Sequence, residues 1–116
     1  MGESYRDLIV WQRAVQLSVA LYKLTASFPS EELYGLSSQL RRAGVSVASN
    51  IAEGYGRRST GEYKQFLGMA RGSNMEVQTQ LVISGELGFG EATRMKEADG
   101  LSHEVGKMLV ALMNKL

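Results

Sequence analysis

Few residues in this chain could do acid–base, metal or nucleophilic chemistry. Its 116 residues include one histidine, His103, and no cysteine. A single histidine excludes a multi-histidine zinc site and leaves a hydrolytic triad without support. The absence of cysteine removes disulfides, thiolate metal sites and a thiol nucleophile. His103-Glu104 lacks the second histidine of a His-Glu-x-x-His helix, and a di-metal bundle needs Glu-x-x-His pairs that do not occur here. Glu53, Glu76 and His103 are what remains for a ligand set or a paired-carboxylate mechanism, and nothing else in the chain supports either. Gly54-x-Gly56 is too short for a dinucleotide loop, and no strand precedes it. No catalytic residue, metal or cofactor is expected, so the chain reads as non-enzymatic.

The cationic residues are more suggestive. The net charge is only +1, so attraction to phosphate must come from local clustering. Residues 40–72 hold Arg41, Arg42, Arg57, Arg58, Lys64 and Arg71 against Glu53 and Glu62. These six are the candidate RNA or DNA contacts, because the arginine fork suits phosphate. Arg57 and Arg58 also fall beside a helix start, where free N–H groups favour anions. The competing reading is a solvated face with ion pairs, such as Arg57 or Arg58 with Glu62. Tyr55 and Tyr63 are the tyrosines interleaved with these cations, which is a poor base-stacking platform.

The elements that must position these groups are helical, because apolar residues recur at steps of three and four. One proline, Pro29, leaves long stretches free of breakers. The first helix is predicted over 7–27. Val10, Ala14, Leu17, Leu21, Leu24 and Phe28 form one stripe. Leu8, Trp11, Val15, Val19 and Tyr22 form a second, which a lone bundle does not require and which is the candidate oligomer interface. The second helix is predicted over 38–53 with Ser37 as cap, an inner stripe of Leu36, Leu40, Ala43, Val47 and Ile51, and a polar rail of Arg42, Ser46, Ser49 and Glu53. Ser59-x-x-Glu62 is a capping box opening a third helix over 60–87, whose seam carries the polar Asn74. Gly88-Phe89-Gly90 ends it. The fourth helix, 91–115, has a seam of Ala98, Leu101, Val105, Met108, Leu112 and Leu116. Asn50, Glu53 and Asn74 are the candidate structural polar network, with Arg42 or Arg71 as partners of the first two. Four long helices with short turns predict an all-α, antiparallel up-down four-helix bundle forming one domain over 1–116. The opening MGESYRD is not a signal peptide, and no apolar run is long enough to span a membrane. A soluble, cytoplasmic chain is expected.

Several ordered motifs carry a resemblance. Tyr5-Arg6-Asp7-Leu8-Ile9-Val10-Trp11-Gln12-Arg13-Ala14, Phe28-Pro29-x-Glu31-Glu32-x-Tyr34-Gly35-Leu36 and Ser49-Asn50-Ile51-Ala52-Glu53-Gly54-x-Gly56-Arg57 occur in that order. Phe66-Leu67-x-x-Ala70-Arg71-Gly72-Ser73 follows. The chain resembles the four-helix-bundle family named for intervening sequences in bacterial 23S ribosomal RNA genes. The resemblance implies a ring-like homo-oligomer, with a pentamer favoured, and a likeness to the accessory variability proteins of diversity-generating retroelements. Those present a basic surface to nucleic acid and partner a reverse transcriptase. The family has no established catalysis. The leading expectation is a non-enzymatic oligomer that offers its arginines to RNA or DNA. The alternative is a scaffold that recruits a protein partner without binding nucleic acid.

Overall fold

The computed structural model describes residues 4–116. Residues 1–3, on which the reading of the opening heptapeptide partly rests, lie outside it. Four helices follow in order: α1 (Ile9–Thr25), α2 (Leu36–Tyr55), α3 (Thr60–Glu86) and α4 (Ala92–Lys115). Short 3-10 turns at Tyr5–Asp7 and Ser30–Glu32 precede α1 and α2, and no strand occurs among the described residues. Each long helix packs against two others, α1 on α2 and α4 and α3 on α2 and α4, and the diagonal pairs do not pack. The bundle measures 43 × 23 × 20 Å. This is the up-down, all-α arrangement that the periodicity predicts.

The first stripe of α1 is its core face. Val10, Ala14, Leu17, Leu21 and Leu24 are buried, and Phe28 continues the line past the helix end. The inner stripe of α2 is also as expected, with Leu40, Ala43, Val47 and Ile51 buried. Its start differs from the sequence reading. Ser37 does not cap; it is buried inside the helix, and Gly35 is the N-cap. The Glu32 carboxylate instead accepts a bond from the Leu36 N–H at 3.0 Å. A charged acceptor is favoured at the positive end of a helix. Gly35 leaves room for it, since a Cβ there would lie 2.7 Å from Glu32 Oε1.

Ser59 caps α3 as the capping box requires, its hydroxyl accepting from the Glu62 N–H at 3.1 Å. Ser59→Ala is expected to cost about 1 kcal/mol. That should appear as a fall of roughly 4 °C in the thermal midpoint followed by far-UV circular dichroism. At the other end, the Phe89 N–H bonds to the Ser84 carbonyl and the Gly88 N–H to the Gly85 carbonyl, with Gly88 at φ 76°. This is the Schellman arrangement, and it needs a left-handed residue at Gly88. Gly90 is more constrained. Its φ is 85°, and a Cβ would come 2.6 Å from Leu24 Cδ1.

The core divides into two apolar clusters along the bundle. One gathers Leu17, Leu21, Leu24, Leu40, Val77 and Leu81; the other gathers Val10, Ala14, Val47, Ile51, Val105 and Leu109, with Leu67 and Ala70. Between their registers on α3 and α4 sit Asn74 and Ser102, both fully buried. The α4 seam is rotated from the expected one. Ala98, Ser102, Val105 and Leu109 are buried, whereas Leu101, Met108 and Leu112 are half-buried and Leu116 is exposed. Ser102 can face inward because Asn74 satisfies its hydroxyl, a pairing that apolar counting cannot see.

Candidate functional site

The six candidate nucleic-acid residues do not form one patch. Arg41 and Arg42 lie near the start of α2. Arg57 and Arg58 follow its far end, roughly 22 Å along the axis at 1.5 Å per residue. Lys64 lies in the first turns of α3 beside that far end, whereas Arg71 flanks an α3–α4 groove with Lys107 and His103. Sequence proximity grouped these residues, but a straight helix keeps its two ends apart.

Two of the six basic residues, both arginines, have partners within the chain. The Arg41 Nε donates to Thr25 Oγ1 at 2.8 Å, and its guanidinium lies 4.9 Å from the centroid of the Tyr22 ring. Arg57 pairs with Glu53 at 2.8 Å and covers the Phe66 ring at 4.5 Å. The expected partner Glu62 is engaged with Ser59 instead. Glu53 wins because it lies one turn back along the same chain segment, at the i, i+4 spacing that brings side chains together. Among the described residues, Arg42, Arg58, Lys64 and Arg71 are exposed and form no ion pair.

The three residues of the expected polar network are likewise separate. Asn50 donates to the Ser46 carbonyl at 2.9 Å and to its hydroxyl at 3.0 Å, and the Ser46 and Ser73 hydroxyls bond each other at 2.9 Å. That ladder ties α2 to α3. Glu53 is exposed and serves Arg57. Asn74 donates to the Ser102 carbonyl at 2.9 Å and accepts from its hydroxyl at 2.8 Å, tying α3 to α4. Ser73 and Ser102 escaped the sequence reading; the signal was a serine on a seam facing a seam asparagine. Tyr55 and Tyr63 contact each other edge-on at 6.0 Å. Burial pushes the Tyr63 phenol above its ordinary value, with Tyr55 adding to the effect. A raised folded-state value gives stability that is complete below the ordinary tyrosine range and is lost as pH climbs through it.

The second stripe of α1 splits. Leu8 and Trp11 are half-buried against the lower core cluster, and Trp11 meets Tyr5 edge-on at 5.1 Å. Val15 is half-buried, and Val19 and Tyr22 are each 48% exposed. Val15 and Val19 face Val45, Ala48 and Ala52 of α2 across an open groove of about 340 Å³ whose lining carries no charged side chain. Tyr22 stands at the end of this groove, beside Val45, Arg41 and Arg42.

Among the described residues, no set of three histidine, aspartate or glutamate side chains could hold a metal ion, and no helix is long and apolar enough to cross a membrane. His103 is exposed on α4 and meets Asp99 of its own helix, its Nδ1 lying 2.9 Å from the Asp99 carbonyl oxygen.

Fold and surface together define a small antiparallel four-helix-bundle protein with an uncovered apolar groove on α1 and α2 and basic residues at both ends of α2. The chain belongs to the 23S rRNA-intervening sequence protein family, whose model matches residues 6–111. It is similar in fold to a solved Bacteroides thetaiotaomicron protein of unknown function from the S23 ribosomal protein family. The two share 19% identity and superpose with a TM-score of 0.80, covering 90% of this chain and 98% of that one. A search of curated proteins found no match.

Proposed function

We propose that this protein is a non-enzymatic cytoplasmic assembly module. It self-associates through the α1–α2 groove, with a ring of five favoured, and presents the arginines at the ends of α2 to RNA or DNA. The groove carries the reading. It leaves Val19 and Val45 nearly half exposed on a chain that already has a complete core, and its uncharged lining lets a second copy dock without burying a charge. Trp11 lines the groove with Val15 and Val19, and the half-buried Leu8 adjoins it one turn earlier, so both extend the proposed contact. A ring would repeat each basic end in every subunit, so weak single contacts would add through avidity. The resemblance to ring-forming, nucleic-acid-associated proteins supports the same reading.

Light scattering is expected to give a mass near five times the 12.7 kDa of one chain. Filter binding to a structured RNA is expected to show affinity that falls steeply as salt rises. Neutralising Arg57 and Arg58 together should weaken it at every RNA sequence alike, since phosphate contacts carry no sequence information. A 12.7 kDa particle, or no RNA retained at low salt, would sink the respective half of the proposal. Stoichiometric capture of one protein with no salt-sensitive RNA binding would favour a scaffold instead.

A further inference from the structure

The fold places two aromatic rings beside the Arg41–Arg42 end that sequence order keeps apart. Tyr22 comes from the last turns of α1 and Tyr34 from the turn before α2. Both line one depression of about 500 Å³ with Leu33, Ser38, Arg41 and Arg42. Tyr34 is 91% exposed and Tyr22 is 48% exposed. The Arg41 guanidinium lies over the Tyr22 ring and is held by the buried Thr25. It is a cationic plate fixed in place. Arg42 is exposed and, among the described residues, has no ion-pair partner.

From this arrangement we infer that the depression is a stacking site for an unpaired nucleobase of a single-stranded nucleic acid, with Arg42 and Ser38 taking the adjoining phosphate. The inference rests on the nucleic-acid reading above and narrows it to a strand class and a site. Tyrosine faces bind any base by stacking, which a paired base inside a duplex cannot offer. A guanidinium beside an exposed ring adds a cation for the phosphate and a second flat surface. No carboxylate lines the depression. Glu32, in the adjacent turn, is committed to the Leu36 N–H. Glu76 lines an adjoining depression with Gln39 and Ser46, and Tyr34, Ser38 and Arg42 line both. A phosphate is therefore favoured on the side free of carboxylates, beside Tyr22 and Arg41.

The experiment uses the full chain and a fluorescent RNA of about 12 nucleotides, within the span that single-strand sites cover. Binding is compared for the strand alone and for its blunt duplex at one salt concentration. The strand is expected to bind more tightly. Tyr34→Ala should weaken it about 5- to 150-fold while leaving the duplex affinity unchanged, and Tyr34→Trp should retain it. Because Tyr34 is almost fully exposed, neither variant should disturb folding. A 2-aminopurine placed in the strand should lose fluorescence on binding to the parent and not to Tyr34→Ala. Equal affinity of parent and Tyr34→Ala for the strand, with salt-sensitive binding intact, overturns the stacking site and leaves the basic-surface reading standing. If Tyr34→Ala lowers the mass in light scattering instead, this face is a subunit contact and the inference is overturned. Failure of the parent to bind strand or duplex at low salt overturns the nucleic-acid reading itself.

Discussion

Asn74→Asp is expected to cost about 3–5 kcal/mol, a large part of the roughly 5–15 kcal/mol that holds a domain folded. The substitution keeps the shape of the side chain and changes one group. The Asn74 amide donates to the Ser102 carbonyl at 2.9 Å and accepts from the Ser102 hydroxyl at 2.8 Å. Aspartate replaces the donor with an oxygen facing another oxygen, and it brings a charge to a position with no exposed surface. No cation lies among the residues bonded to it. Burying an unpaired carboxylate in this setting is expensive, and the chain can relieve it only by protonating the group or by opening. The variant's folded-state carboxyl is therefore raised. Its stability should be greatest at low pH and decline as pH rises through neutrality, opposite to the usual acidic trend. Urea titration at pH 7 and at pH 5 checks both parts. A paired change that removes both polar groups, Asn74→Leu with Ser102→Ala, should recover much of the loss, because no orphaned donor or acceptor then remains. An unchanged urea midpoint for Asn74→Asp would show that the pair is wet rather than buried.

Val19→Glu is expected to reduce the particle to single chains while the helical signal stays intact. Val19 is half exposed in the protomer, so a glutamate there can reach water and the bundle need not open. In the proposed assembly the same position, which lines the apolar groove, would be covered, and each subunit would carry one carboxylate into an uncharged contact. A cost of even 3 kcal/mol per contact weakens each one by more than about 100-fold, and a closed ring pays it at every interface. Light scattering should move to 12.7 kDa, with far-UV circular dichroism matching the parent. An unchanged mass would place the subunit contact elsewhere. Collapse of the helical signal would mean that the second stripe of α1 belongs to the core.

Much of the fold was legible because it depends on local rules. The first stripe of α1 and the inner stripe of α2 follow from helical pitch alone, since i, i+3 and i+4 residues share a face in any straight helix. Ser59 and Gly88 mark their helix ends through hydrogen bonds that span six residues or fewer. The start of α2 is not legible because the helix begins before Ser37, with Gly35 as its N-cap and the Leu36 N–H donating to Glu32. The Glu32 carboxylate reaches that N–H through geometry in the preceding turn that no periodicity reports. The α4 seam is not legible from hydrophobicity, because Ser102 is buried by virtue of its partner on α3.

The candidate site was less legible, for a different reason. Composition singled out the six basic residues, but their grouping depended on where two ends of one helix lie. A rigid rod separates Arg42 from Arg57, although both fall in the same basic stretch. The reverse holds for Tyr22 and Tyr34, which fall in different elements and line one depression because the chain turns back at Pro29. Sequence alone determined the helices, the class of bundle and the absence of thiol chemistry, because these follow from residue type and short-range spacing. Which polar groups are paired, which cations remain free, and which apolar residues stay uncovered on α1 were decided only when the helices packed. Those properties belong to pairs of surfaces, and a chain read in order contains one surface at a time.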